Sequence, residues 1–182
     1  MIVLVMGVAG CGKSTICEKL TEKRGYEFIE GDSFHSEHNK EKMAKNQPLT
    51  DEDRKPWLQT IHNELKKKDK DSNVILLACS ALKDSYRQLL SNGFKDFFVI
   101  FLKGTEKVLE ERIEKRKGHF MPSSMLDSQF KTLEEPKKSE YIHDVLVVDI
   151  DNNNVAEVVE LSDNWIQKKL SICMHSKQAI PQ

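Results

Sequence analysis

Apolar residues in this chain gather mostly into short runs instead of alternating strictly with polar ones. Stretches at 2–6, 26–30, 74–79, 97–102 and 145–150 read as five β-strands. Continuous apolarity over so few residues marks strands covered by helices on both faces. Helical periodicity fills the intervals, so the order predicts an α/β fold: a five-stranded parallel sheet flanked by helices. The first helix is expected over 13–24, with Gly25 beyond its end. Residues 40–45 are polar on nearly every side and belong to an excursion from the core over 33–58. Thr50 and Asp53 resemble a capping box, but Pro56 removes an interior hydrogen bond. A short turn at 51–54 is therefore expected, then a helix restarting at Pro56 and running to 68, with Trp57, Leu58, Ile61 and Leu65 on its apolar face. Ser80 reads as the N-cap of a helix to Leu90, and Thr105 as that of a helix over 106–117 stopped by Gly118. The last helix, 155–170, is expected to bury Val155, Val158, Val159 and Ile166 and to leave 171–182 as a frayed tail. Residues 118–139 hold Pro122 and Pro136 and carry neither a strand nor a strong helical pattern. A loop of that length inside a domain is commonly functional, and it is expected to act as a lid.

Composition narrows the class. The 182 residues fit one domain, large enough to bury roughly 70% of the unfolded surface without disulfides or metals. A net charge of −1, from 28 basic and 29 acidic residues, leaves no global field to draw nucleic acid or anionic lipid, so any anion site must be local. The four cysteines, Cys11, Cys17, Cys79 and Cys173, form no C-x-x-C pair and have no histidines at zinc spacing. Reduced thiols fit, and with no signal-peptide pattern or long apolar run the expected location is cytoplasmic.

Chemistry enters at Gly7-Val8-Ala9-Gly10-Cys11-Gly12-Lys13-Ser14, which matches G-x-x-x-x-G-K-[ST] between a strand and a helix. Glycines let successive N–H groups converge on phosphate oxygens. Lys13 adds a point charge at the β and γ positions, Ser14 offers an oxygen to Mg²⁺, and the helix begins positive end first. The loop, with Thr15, is the candidate ATP site.

Phosphoryl transfer also needs cations on the migrating group and a residue to orient the attacking oxygen. Arg112 and Arg116, four apart before the lid, either reach the phosphates or pair with Glu111 and Glu114 on a solvated helix. Asp32 follows strand two at the carboxyl edge of the sheet, where ligands bind in open α/β folds. It could take a hydroxyl proton, hold Mg²⁺ through water, or cap a turn, and His35 gains meaning only beside it. Strand three ends in Cys79-Ser80 where many such proteins have an aspartate, which moves metal ligation toward Asp32 or Ser80 and counts against motor-type ATPases. Lys83 and Arg87 suit a small anionic substrate, or else pair with Asp84 and solvent. Trp57 reads as a core or hinge aromatic, and His62 and His143 have no partner in view.

Longer blocks carry a resemblance. They are Gly31-Asp32-x-x-His35, Asn39 with Lys42-Met43, and Pro48-Leu49-x-Asp51-x-Asp53-Arg54-x-Pro56-Trp57-Leu58. Further along stand Cys79-Ser80-Ala81-Leu82-Lys83 with Tyr86-Arg87, Arg116-Lys117-Gly118-His119-Phe120, Gln129-Phe130-x-Thr132-Leu133-Glu134-x-Pro136, and Val147-Val148-Asp149-Ile150-Asp151. Up to the last helix the chain resembles the small P-loop gluconate kinases of the thermoresistant type. That resemblance implies a P-loop NTPase of nucleoside-monophosphate-kinase-like type with a lid, ATP-dependent phosphorylation of the D-gluconate 6-hydroxyl, a Mg²⁺ requirement and a homodimer. It casts Lys13, Asp32 and Arg116 in catalysis and Arg112 beside them on the nucleotide. Asp32, His35, Lys42, Arg54, Lys83, Arg87, His119 and Gln129 are the chemical types a polyhydroxy monoanion needs, and Ser14 and Asp32 the metal ligands. The loop at 149–153 is a positional expectation for adenine. Asn46 stands where relatives usually have Gly, and Cys11 where Ser is common; Asn tolerates φ > 0, so the turn should survive. Rival readings are a shikimate or nucleoside monophosphate kinase, and a nucleotide-binding regulatory module without turnover.

Overall fold

Strands that sit between two helical layers lose the alternation of inward and outward residues, and the three inner strands of this sheet do, while the two edge strands are only partly buried. The structure, a computed structural model, describes residues 1–69, 73–115 and 123–178. The strands are β1 (Ile2–Met6), β2 (Glu27–Glu30), β3 (Ile75–Ala78), β4 (Phe97–Lys103) and β5 (Asp144–Asp149), all parallel in the order β2-β3-β1-β4-β5. Seven α-helices are described: α1 (Lys13–Arg24), α2 (Glu37–Ala44), α3 (Asp51–Lys68), α4 (Asp84–Ser91), α5 (Glu106–Lys115), α6 (Ser123–Thr132) and α7 (Val155–Gln178).

Alternate residues of each strand feed two separate cores. Val3, Val5, Leu76, Ala78, Phe98, Ile100 and Leu102 pack with α1, α5, α6 and α7 through Ile16, Leu20, Leu109, Leu126, Val158 and Ile166. Ile2, Leu4, Met6, Ile75, Leu77, Phe97, Val99 and Phe101 pack with α3 and α4 through Trp57, Leu58, Ile61, Leu65, Tyr86 and Leu90. β1 is central, with Val5 opposite Ala78 on one side and Ile100 on the other. Among the described residues no helix is long and apolar enough to cross a membrane.

Helix boundaries depart from the sequence pattern in four places. α3 runs unbroken from Asp51 because the Thr50–Asp53 capping box forms in both directions, at 3.2 and 2.8 Å, above an acidic first turn. Pro56 faces solvent, so water can satisfy the carbonyl that its missing N–H leaves free. α4 starts at Asp84 instead of Ser80, since Ala81 takes φ 40° and turns the chain first. The carboxylate of Glu134 accepts the Asp84 N–H at 2.6 Å and caps the helix from a distant segment. α6 occupies part of the stretch expected to be loop, and α7 continues through Gln178 where a frayed tail was expected. Val155, expected inside, is 44% exposed at the start of α7. Asn46 does adopt φ 53°, so the turn after α2 forms without glycine.

Asp163 of α7, 1% exposed, accepts from Nε and Nη2 of Arg24 at 2.9 and 2.8 Å and pairs with Lys23 at 2.9 Å, pinning α7 to the end of α1. These partners, Arg24 foremost, hold its carboxyl below the usual range. Asp163→Asn should lower unfolding stability by roughly 2 kcal/mol at neutral pH. The wild-type contribution is full above the unfolded carboxylate pKa of about 3.9 and declines as pH falls toward the folded value. Chemical denaturation at pH 7 and pH 3 should therefore show the variant's deficit shrinking in acid.

Candidate active site

The carboxyl ends of β1, β2 and β3 open onto one cavity of about 610 Å³. β1 delivers the glycine loop, whose geometry rests on two residues. Gly12 has φ 95° and borders open space, while a Cβ on Gly7 (φ 147°) would lie 2.7 Å from the Leu102 carbonyl. No L side chain fits either position at low cost. Ala9, Gly10, Gly12, Lys13, Ser14 and Thr15 line the cavity, while Val8 and Cys11 are buried beneath the loop. Lys13 Nζ donates to the carbonyls of Gly7 and Val8 at 3.1 and 3.2 Å, which holds the ammonium across the loop mouth.

β2 ends in Glu30 and a 3₁₀ turn at Gly31–Phe34, which brings Glu30 and Asp32 to the cavity wall. The Asp32 side chain is 72% exposed. His35 follows, nearly buried, its ring stacked on Trp57 at 4.1 Å and 15°. Burial lowers the imidazole pKa against the opposing pull of Asp32, so the ring is neutral at pH 7. α2, α3 and their connection add Met43, Pro48, Leu49, Arg54 and Trp57; Ser80 follows β3, and Arg112, Ile113, Met125, Ser128 and Gln129 close the far side. Gln129 Oε1 accepts the Ala9 N–H at 2.8 Å, tying α6 to the glycine loop. Arg112 Nη2 donates to the Ile150 carbonyl at 2.8 Å. Ser14, Glu30 and Asp32 line the same cavity as Lys13, and their oxygens are of the kind that suits a hard divalent cation beside phosphates.

A family profile described as "AAA domain" matches residues 6–127. The thermoresistant gluconokinase of Escherichia coli (strain K12) is 45% identical over 150 residues, covering 82% of this chain and 85% of that protein. The chain belongs to the gluconokinase family. A solved gluconokinase from Sinorhizobium meliloti 1021 superposes with TM-score 0.79 at 39% identity, over 98% of this chain and 97% of that one. An unliganded sugar kinase from Janibacter sp. HTCC2649 gives TM-score 0.83 at 37% identity, over 91% and 94%.

Three cations expected at the substrate lie elsewhere in this gluconokinase-family fold, each captured by a nearer acceptor. Lys42 Nζ donates to Asp53 at 2.5 Å and is the main cause holding that carboxyl down to about 2. Lys83 donates to both oxygens of Asp51 at 2.8 and 2.7 Å, and Tyr86 donates to the same carboxylate. Arg87, 1% exposed, donates through Nη1 to the carbonyls of Ala81 and Leu82 at 2.9 and 3.1 Å, and clamps the turn that carries Ser80. Arg54 remains on the cavity wall, braced by the Leu49 carbonyl at 2.5 Å and lying over the Tyr86 ring at 5.8 Å. Arg116 and His119 lie outside the described residues. The 149–153 loop does not line the cavity; Asp149 and Asp151 knit its turns and cap Thr105. Buried Cys17 and Cys79 have thiols pushed up by desolvation, Cys79 to about 12, so neither offers a thiolate at neutral pH.

Sequence reasoning passed over Glu30 and Ser128. Glu30 had a readable signal, since it ends the strand that positions Asp32. His62, given no partner above, contacts the Leu90 carbonyl at 3.2 Å and joins α3 to α4. Arg87→Met should therefore cost about 2 kcal/mol or more of stability, by removing bonds from a buried cation to two carbonyls. Lys83→Ala should leave the KM for the sugar acid within about twofold, since an exposed pair contributes little. Thermal melts and initial-rate kinetics separate the two effects.

Proposed function

We propose that this chain transfers the γ-phosphoryl group of ATP to the 6-hydroxyl of D-gluconate, giving 6-phospho-D-gluconate and ADP. One observation carries the reading: in a gluconokinase-family chain, a single cavity joins the glycine loop to a carboxylate, an imidazole and an arginine on the facing wall. Phosphates belong at the loop amides and Lys13, with Arg112 and the further cation Arg116 at the lid. Gluconate is a polyhydroxy monoanion, and Arg54 suits its carboxylate by fork geometry and by its place on the wall opposite the loop. His35, Asp32 and Gln129 offer hydroxyl partners of both senses, and His119 adds another. Lys42, Lys83 and Arg87 act behind the site by fixing α2, α3 and the Ser80 turn.

Asp32 orients the attacking hydroxyl and takes its proton as the new oxygen–phosphorus bond forms. Ser14 and Glu30 are the residues that would hold Mg²⁺ directly, with Asp32 reaching it only through water so that its carboxylate stays free for the proton; the ion when bound neutralises phosphate charge. The lid of 118–139 excludes water that would otherwise accept the phosphoryl group. The family resemblance implies a homodimer, and the cytoplasm is the expected setting.

A coupled assay for 6-phosphogluconate, run beside shikimate and nucleoside monophosphates, tests the reaction. A site that hydrogen-bonds several hydroxyls should favour gluconate by about 10⁴-fold or more. Comparable turnover of another acceptor, or none of gluconate, overturns it. Asp32→Asn should lower kcat by about 10²- to 10⁴-fold while leaving ATP binding by titration calorimetry little changed. Near-normal turnover removes Asp32 from the catalytic role.

A further inference from the structure

Asn39 sits on α2 at 3% exposure, with no chemistry yet attached to it. A carboxamide so buried must place its donors. Its Nδ2 donates to the Asp53 backbone carbonyl at 2.9 Å and lies 3.5 Å from Nδ1 of His35. The first contact decides the second. A carbonyl oxygen only accepts, so the amide has to turn its nitrogen toward Asp53, and the other hydrogen of that nitrogen then faces His35. Nδ1 of His35 must accept, which leaves the ring proton on Nε2.

The ring is not free to escape this arrangement. It stacks on Trp57, whose Nε1 donates to the Gly31 carbonyl at 2.8 Å and keeps the indole in place. Nε2 points toward Oδ1 of Asp32 at 3.8 Å. That separation is too long for a direct hydrogen bond, yet an oxygen set to one side of the pair, roughly 2.8 Å from each atom, can bond to both.

We propose that Asn39 is a positioning residue that holds His35 in the Nε2–H tautomer, so that a neutral N–H donor and the Asp32 carboxylate together seat the reacting hydroxyl of the sugar acid. This rests on the reaction read above. The hydroxyl oxygen accepts from His35 and donates to Asp32. On transfer its proton passes to the Asp32 carboxylate, its oxygen bonds the γ-phosphorus, and the bond from that phosphorus to the β,γ-bridging oxygen breaks, with the electron pair leaving on ADP. The opposite tautomer would aim a lone pair at both the hydroxyl oxygen and the carboxylate, three acceptors around one proton.

Long-range ¹H–¹⁵N spectra of the full chain read the tautomer directly, His35 being assigned by the signals lost in His35→Gln. The wild type should show Nε2 protonated and Nδ1 not. Asn39→Asp, whose carboxylate only accepts, should move the proton to Nδ1 and lower kcat on gluconate about tenfold, the scale of one hydrogen bond, at unchanged ATP affinity. In the His35→Gln background the amide supplies an N–H whatever stands at 39, so the same change should then have almost no effect. Should Asn39→Asp fail to fold, Asn39→Ser replaces it, and mixed tautomers with a smaller loss of kcat are expected. A wild-type proton on Nδ1, or an altered tautomer at full kcat in either variant, overturns the proposal. Wild-type protein inactive on gluconate would count against the reaction instead, because the tautomer is recorded without substrate.

Discussion

A glycine loop can aim its amides at an anion only if the strand before it cannot shift, and β1 has no freedom to do so. It is paired on both edges, by β3 and β4, and every one of its five residues is buried. Sliding it by one residue would exchange its faces and misplace two cores at once. The loop, α1 and the ends of β2 and β3 take their positions from that central strand. The carboxyl edge is thus rigid where the chemistry needs it and variable only in the segments that grow from it.

Opposite the loop, the wall is organised by competition for cations. The 33–58 excursion and the start of α4 carry several basic residues within reach of the cavity, and neighbouring carboxylates or carbonyls take most of them. Asp53 holds Lys42, Asp51 holds Lys83, and the turn before α4 holds Arg87. Each pairing joins two elements, so charge that looked catalytic serves to fix the shape of the wall. Arg54 stays beside the cavity with a braced guanidinium, and one well-oriented fork suits a single carboxylate. Surplus free charge there would favour polyanions over a monoanion.

Two contacts connect the walls of the site to its chemistry. Gln129 reaches from α6 to the Ala9 amide, so that helix is coupled to the glycine loop. Asn39 joins the backbone of α3 to His35, and through it the position of the ring proton depends on how α2 docks against α3. The placement of the excursion and the electronic state of the site are therefore not independent.

Local patterns determined a good deal: five strands, parallel order from their alternation with helices, the phosphate loop, and Asp32 at the end of β2. Each depends on interactions within a few residues or on burial alone, and both leave a period in the sequence. Only the tertiary structure decided which acceptor each basic side chain meets, because Asp51 and Lys83, or Asn39 and the Asp53 carbonyl, are brought together by packing and not by spacing. It also decided where helices start and stop when the cap comes from afar. Glu134 caps α4 across 50 residues, and the Ala81 turn that delays the helix is held by Arg87. α3 passes Pro56 because a complete capping box and a buried face outweigh one missing hydrogen bond. Periodicity records which residues are buried, while the partner of a polar group is set by geometry that the chain acquires only when folded.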